Sequence, residues 1–266
     1  SGSRRVGLDC MTGAWRWAGA RSKGTSHEKT GLPCQDYGCA NEVDGPVGPV
    51  FVAVVSDGAG SARHADVGSK ITAITMLRMA QRFLRRSPRS ELGEETTWEW
   101  LDAVRDRINA EAERVGLKPR DFAATIVAII ADSSGVTIIH VGDGAVAVKA
   151  TDSEMWSVPS WPYQGEYAST TSFITDDPQP RLDFVAMDCP ISAFAIFSDG
   201  IERMVLDFAN RLPHAPFFER MVKPVMALSN PGRDADLSKA LQSYLSSPAV
   251  CERTDDDKTL ILGARL

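Results

Sequence analysis

The sequence predicts an α+β fold in which groups of antiparallel strands alternate with pairs of helices. Three observations lead to it. Apolar runs over residues 50–55, 122–131, 136–141 and 193–198 are rich in Val, Ile and Ala and close on Gly- or Asp-containing turns, the mark of buried strands. Helix-period patterns come in succession, over 67–84 and 97–115, and again up to about residue 247. The runs at 122–131, 136–141 and 145–149 follow one another with only turns between them, which a regular βαβ alternation does not allow.

The 266 residues are 43% hydrophobic and 24% charged, enough apolar material for a sizeable core. A formal net charge of -6 argues against nucleic acid as a partner, because phosphate backbones need clustered cations. Eighteen consecutive apolar residues occur nowhere, so no membrane span is expected, and no secretory signal is seen at the start. The five cysteines, Cys10, Cys34, Cys39, Cys189 and Cys251, are odd in number and scattered, as for reduced thiols of a cytoplasmic protein. Cys34 and Cys39 stand close in sequence, but a soft-metal site needs a second pair. With neither repeats nor a low-complexity linker, residues 1–266 read as a single domain.

The elements follow in order. Trp15 and Trp17 alternate in an early strand as packing residues. Residues 50–55 run into the turn Ser56-Asp57-Gly58-Ala59-Gly60. A helix follows, with Val67, Ile71, Ile74, Leu77, Ala80 and Leu84 as its apolar stripe. Arg82, Arg85, Arg86 and Arg89 mark its solvated basic end, and Pro88 stops it. The next helix is expected over 97–115, opened by a Thr96/Glu99 capping box and closed by Gly116 and Pro119. Residues 122–149 read as a three-stranded meander with turns at Asp132-Ser133-Ser134-Gly135 and Gly142-Asp143-Gly144. Residues 150–185 are polar and irregular, with Trp156, Trp161, Tyr163 and Gly165 among them. A strand over 193–198 turns at Asp199-Gly200; helices broken at Pro213, Pro216, Pro224 and Pro231 follow, and Lys258–Arg265 closes the chain as a strand.

One design recurs. A hydrophobic strand ends and an aspartate begins the turn, at Asp57, Asp143, Asp199 and the run Asp255-Asp256-Asp257; Gln35-Asp36 stands before the first of these strands. Alone, each is an ordinary Asp-Gly turn. As a set they suit hard divalent cations, which take oxygen ligands, and a glycine after the aspartate lets its carbonyl approach an ion. Converging acids repel one another unless cations neutralise them.

These stretches are similar to those of the metal-dependent protein phosphatase (protein phosphatase 2C) family, in its bacterial branch. The matches are Gln35-Asp36, Ser56-Asp57-Gly58-Ala59-Gly60, Phe122-Ala123-Ala124-Thr125, His140-Val141-Gly142-Asp143, Phe197-Ser198-Asp199-Gly200 and Asp256-Asp257-Lys258-Thr259, in the family's order. The resemblance implies two stacked antiparallel sheets flanked by helix pairs, with the metals at one end, and a variable flap over 150–185. It implies two Mg²⁺ or Mn²⁺ ions, with a weaker third. Asp57 would bridge the pair and act catalytically, the Gly58 carbonyl and Asp36 would serve the first ion, Asp199 and Asp256 the second, and Asp143 the third. Thr125 and Asp257 would support them. A hydroxide bridging the ions would attack phosphorus directly.

The family often carries a phosphate-gripping arginine five residues before the first-motif aspartate; here that position is Gly31. His27 and Lys29 stand nearby and are the candidates to touch the substrate phosphate, with His27 also a candidate proton donor. The expected substrate is a phosphorylated protein; a cognate kinase is a family-level expectation, and the chain is expected to be a monomer. Two rivals stand beside this reading: a pseudophosphatase that binds a phosphoprotein or regulates a kinase, favoured by Gly31, and a hydrolase of small phosphorylated metabolites.

Overall fold

Why the apolar runs form strands, and where they go, is answered by a computed structural model that describes residues 14–162 and 171–266. Cys10, Tyr163 and Gly165, singled out above, lie outside the described residues. The first half holds β1 (Trp15–Ser22), α1 (Thr25–Thr30), β2 (Asp36–Gly45), β3 (Gly48–Asp57), α2 (Ala65–Leu84) and α3 (Glu94–Val115). Then come β4 (Ile126–Ala131), β5 (Val136–Val141), β6 (Ala145–Ala150), β7 (Trp156–Ser157), β8 (Asp183–Met187), β9 (Ile191–Phe197), α4 (Asp199–Val205), β10 (Leu206–Asp207) and β11 (Leu212–Pro213). The chain ends with α5 (Ala215–Met226), β12 (Gly232–Arg233), α6 (Ala235–Leu245), α7 (Pro248–Cys251) and β13 (Lys258–Arg265).

One sheet has the order β12-β1-β13-β9-β6-β7 and the other β2-β3-β4-β5-β8. Among the described residues, all pairings are antiparallel except β1 with β12. Three apolar layers hold them together. Trp15, Phe51, Phe194, Ile138 and Ile261 fill the space between the sheets. On the outer side of the five-stranded sheet, Val52, Val54 and Ile130 pack against α2 and α3 through Met76, Leu84, Leu101 and Ile108. On the opposite flank Ala195, Leu260 and Leu262 meet α5 and α6 through Phe218, Val222 and Leu241. Strands such as β3 and β4 are therefore buried on both faces, which is why they read as continuous apolar runs rather than alternating ones.

Several local expectations are corrected. The residues after β5 do not complete a meander: β6 joins the other sheet, beside β9. Gly142-Asp143-Gly144 is thus a crossover, with positive φ of 104° and 78° at its two glycines, rather than a hairpin. Asp36, which does stand before the 50–55 strand, opens a strand of its own, β2. α3 begins at Glu94 with Gly93 as its N-cap, so Thr96 and Glu99 form no capping box; Thr97 donates its hydroxyl to the Gly93 carbonyl instead. The fully buried face of α2 is Ser69, Thr72, Ala73, Met76 and Ala80, and Val67, Ile71 and Leu77 flank it. Small residues there let the helix approach the sheet closely. Pro216 starts α5 and Pro224 sits in its last turn, so neither breaks it.

Arg89 is not part of a solvated stripe: it is 1% exposed. Its Nε lies 3.2 Å from Asp132 Oδ1, Nη2 lies 3.4 Å from Asp188, and Nη1 donates to Thr137 Oγ1. It pins the β4–β5 hairpin. Removing one partner of a buried ion pair strands the other. Arg89→Ala is therefore expected to cost about 3 kcal/mol, read as a lower urea midpoint; a midpoint within error of wild type would show the clamp to be dispensable.

Candidate metal centre

Each acidic side chain is carried to the same end of the sandwich by a strand terminus. Asp57 ends β3 and Asp36 opens β2 directly opposite it. Asp143 lies in the crossover between β5 and β6, and Asp199 opens α4 where β9 ends. Carboxylate oxygens of Asp57, Asp143 and Asp199 all lie within 4.8 Å of one another. Asp256, in the turn before β13, stands close enough to repel both Asp143 and Asp199, but outside that tight trio.

Backbone and hydroxyl contacts fix this arrangement. The Asp57 N–H donates to Thr125 Oγ1 at 3.1 Å, and the Thr125 N–H donates to the Asp57 carbonyl at 2.8 Å. Gly58 forms an isolated bridge with Ala124, and its N–H donates to the Gln35 carbonyl. Asp36 Oδ2 accepts from Ser198 at 2.6 Å and Thr259 at 2.8 Å. Thr171 donates to Asp143 Oδ2 at 2.8 Å.

The electrostatics are those of acids crowded out of water. Burial, then repulsion from Asp36, Asp199 and Asp143, pushes Asp57 well above the usual carboxylate range. Burial, then Asp143, Asp256 and Asp36, does the same to Asp199. Burial raises Asp36 to about 6, with the Ser198 hydroxyl the largest counterweight, and burial also raises Asp143.

Divalent cations fit these residues. The donors are carboxylate oxygens, the hard ligands Mg²⁺ and Mn²⁺ prefer. One oxygen each of Asp36, Asp143 and Asp199 is buried without a hydrogen-bond partner, an arrangement that costs free energy unless something positive fills the space.

His27 sits on α1, and its Nδ1 lies 2.9 Å from Asp257 Oδ2. Asp257 also accepts the backbone N–H groups of Gly24 and Gln35. The Ser26 hydroxyl and N–H donate to the Asp255 carbonyl. The segment 24–35 is thereby clamped onto the acidic turn. Lys29 is exposed on α1, and among the described residues it makes no ion pair. Gly31 closes α1 with φ 73°, a left-handed position that explains why no arginine stands there.

Sequence reasoning missed Glu202. It lies one helical turn after Asp199 on α4, its Oε2 accepts the Gly144 N–H at 3.0 Å, and burial followed by repulsion from Asp143 raises it to about 7. The spacing of Asp199 and Glu202 at the start of a helix was the available signal. His140 is a core residue: burial pushes it down to about 4, and its Nδ1 pairs with Ser160. Trp156 also packs, stacked on Phe218 at 5.2 Å, and Trp161 meets Phe208 edge-on. Cys34 and Cys39 are free thiols that burial holds at about 12.

The profile of the family described as protein phosphatase 2C matches residues 23–245. Serine/threonine-protein phosphatase 3 of Escherichia coli (strain K12) is 36% identical over 253 residues, 94% of this chain and 98% of that protein. Among solved structures, PppA of Pseudomonas aeruginosa, described as a key regulatory component of T6SS, superposes with a TM-score of 0.62 at 17% identity, covering 95% of this chain and 98% of that one. The serine/threonine phosphatase Stp1 from Staphylococcus aureus gives 0.58 at 16% identity, covering 99% of both.

Proposed function

Since the chain belongs to the protein phosphatase 2C family, we propose that its acidic end holds Mg²⁺ or Mn²⁺ and removes phosphate from phosphoserine and phosphothreonine in proteins. It is a serine/threonine phosphatase, and the observation that carries the site is the meeting of Asp57, Asp143 and Asp199 from three separate turns, with buried oxygens left unpartnered. When bound, a pair of ions supplies an activated water for direct attack on phosphorus and positive charge for the phosphoryl oxygens.

The chain's own residues do the rest. Asp57, central to the cluster, would bridge the pair; Asp36 and the Gly58 carbonyl would serve one ion, Asp199 and Asp256 the other, and Asp143 a third. Ser198 and Thr259 hold Asp36 in its rotamer. Glu202 holds the Gly144 N–H and so sets the loop that aims Asp143. Asp257 fixes the His27 ring through Nδ1 and leaves Nε2 as the nitrogen free to pass a proton to the leaving serine or threonine oxygen. Lys29, exposed two residues further along α1, would meet the substrate phosphate.

Release of phosphate from a phosphothreonine peptide tests the whole reading. Turnover with Mn²⁺ and none with EDTA is expected. Failure on every phosphopeptide with metal bound would instead mark a binding-only pseudophosphatase, and equal kcat/KM on small phosphate esters a metabolite hydrolase. His27→Gln is expected to lower kcat about a hundredfold with little change in KM. Unchanged kcat and KM would remove His27 from the mechanism.

A further inference from the structure

Away from the acidic cluster, a groove of about 630 Å³ runs along the open side of the sandwich, between β2 of one sheet and β1 and α6 of the other flank. Its floor includes Tyr37, Gly38, Cys39 and Ala40, four consecutive residues of β2. Among the described residues, β2 is the end strand of its sheet and pairs only with β3, so half of its backbone N–H and C=O groups face away from the sheet. In a chain of net charge -6, the described lining of the groove holds three cations, Arg21, Arg233 and Lys239, and no carboxylate.

The two arginines are held in place. Arg21 lies over the Tyr37 ring at 5.3 Å and donates Nη1 to the Asp36 carbonyl at 2.8 Å. Arg233 lies over Trp17 at 5.6 Å and donates to Ser238 and to the Gly19 carbonyl. A guanidinium has five N–H donors, so each keeps several for a ligand. One end of the groove lies a single side chain from the cluster: Thr259 lines it and also donates to Asp36 Oδ2.

Resting on the phosphatase reading above, we infer that this groove is the substrate dock. It takes an extended acidic segment, about four residues long, flanking the phosphorylated residue on one side. The segment adds to β2 as a further strand, through main-chain hydrogen bonds, and its carboxylates meet Arg233 and Lys239. An aromatic-backed, carboxylate-free groove beside an unpaired strand edge suits an acidic polypeptide by charge and by backbone geometry together. Because the groove lies on one side of the cluster, preference should fall on one flank only.

The test compares phosphothreonine peptides carrying four acidic residues before or after the phosphorylated residue with Asn/Gln counterparts, alongside p-nitrophenyl phosphate, all with Mn²⁺. Wild type should favour one acidic flank about tenfold in kcat/KM, the scale of two partly exposed charge pairs. Arg233→Gln/Lys239→Glu should abolish that preference and leave p-nitrophenyl phosphate hydrolysis unchanged; Lys239→Glu alone, at an exposed position, should lower it in part. N-methylation of alternate flank residues should weaken the preferred peptide in one phase of the alternation and not the other. No flank preference in wild type, or a preference the double variant keeps, overturns the proposal. If wild type turns over neither the peptides nor p-nitrophenyl phosphate, the phosphatase reading falls. Fluorescence polarisation of the unphosphorylated acidic peptide then decides the groove alone: binding lost in the double variant supports it, and no binding to wild type ends it.

Discussion

Asp57→Asn is expected to lower kcat/KM on a phosphopeptide at least about a thousandfold at saturating Mn²⁺, the scale on which a preorganised charge-stabilising group acts. The same variant should not unfold the metal-free protein. Asp57 is half-buried against Asp36, Asp143 and Asp199, all of its own sign, and its carboxyl is pushed well above its ordinary range. An amide removes that repulsion and keeps the shape, so the metal-free melting temperature should rise, while the gain from adding Mn²⁺ shrinks. Kinetics and melting curves on one preparation separate the two effects. Activity near wild type would mean that the ions sit elsewhere; loss of activity together with a lower metal-free melting temperature would mean that Asp57 serves the fold instead.

The second large effect is in the pH dependence of stability. Carboxyls whose folded pKa is raised bind more protons in the folded than in the unfolded chain, so stability falls as pH rises. Unfolded carboxyls titrate near 4. Folded Asp36 titrates at about 6 and Glu202 at about 7, and Asp57 and Asp199 are also raised. Below about pH 4 the acids are protonated in both states and cost nothing. Between there and pH 7 the metal-free protein should lose on the order of a few kcal/mol, read as a falling urea midpoint. Mn²⁺ at pH 7 should restore it, since ligand binding to the folded state stabilises by mass action. A midpoint that rises over this range, or one that Mn²⁺ leaves unmoved at pH 7, would contradict the crowded-acid account.

Much of this was legible before any coordinates. Strand runs rich in β-branched residues carry a strong signal, so β3, β5 and β13 are where the sequence places them, and β4 occupies the last six residues of its run, from Ile126. The aspartates at their ends were legible as a set, because a functional residue on a turn after a buried strand is marked by both neighbours. What escaped has a common cause: it depends on which sheet a strand joins. The run 145–149 looks like the third strand of a meander, and only the positive φ of Gly142 and Gly144 sends it to the other sheet. Glu202 went unread because its spacing from Asp199 does not reveal its task, which is to hold a loop 58 residues away. Arg89 read as solvated because its partners, Asp132 and Asp188, are distant in sequence. The edge groove belongs to no motif at all, because β1, β2 and α6 meet there only through the stacking of the two sheets.

The central claim is that Asp57, Asp143 and Asp199 gather divalent ions. Anomalous diffraction from a crystal soaked in Mn²⁺ tests it most directly. Peaks should stand among the carboxylates of these three residues, within ligand distance of Asp57. Full-occupancy peaks elsewhere, with none at this cluster, would contradict it.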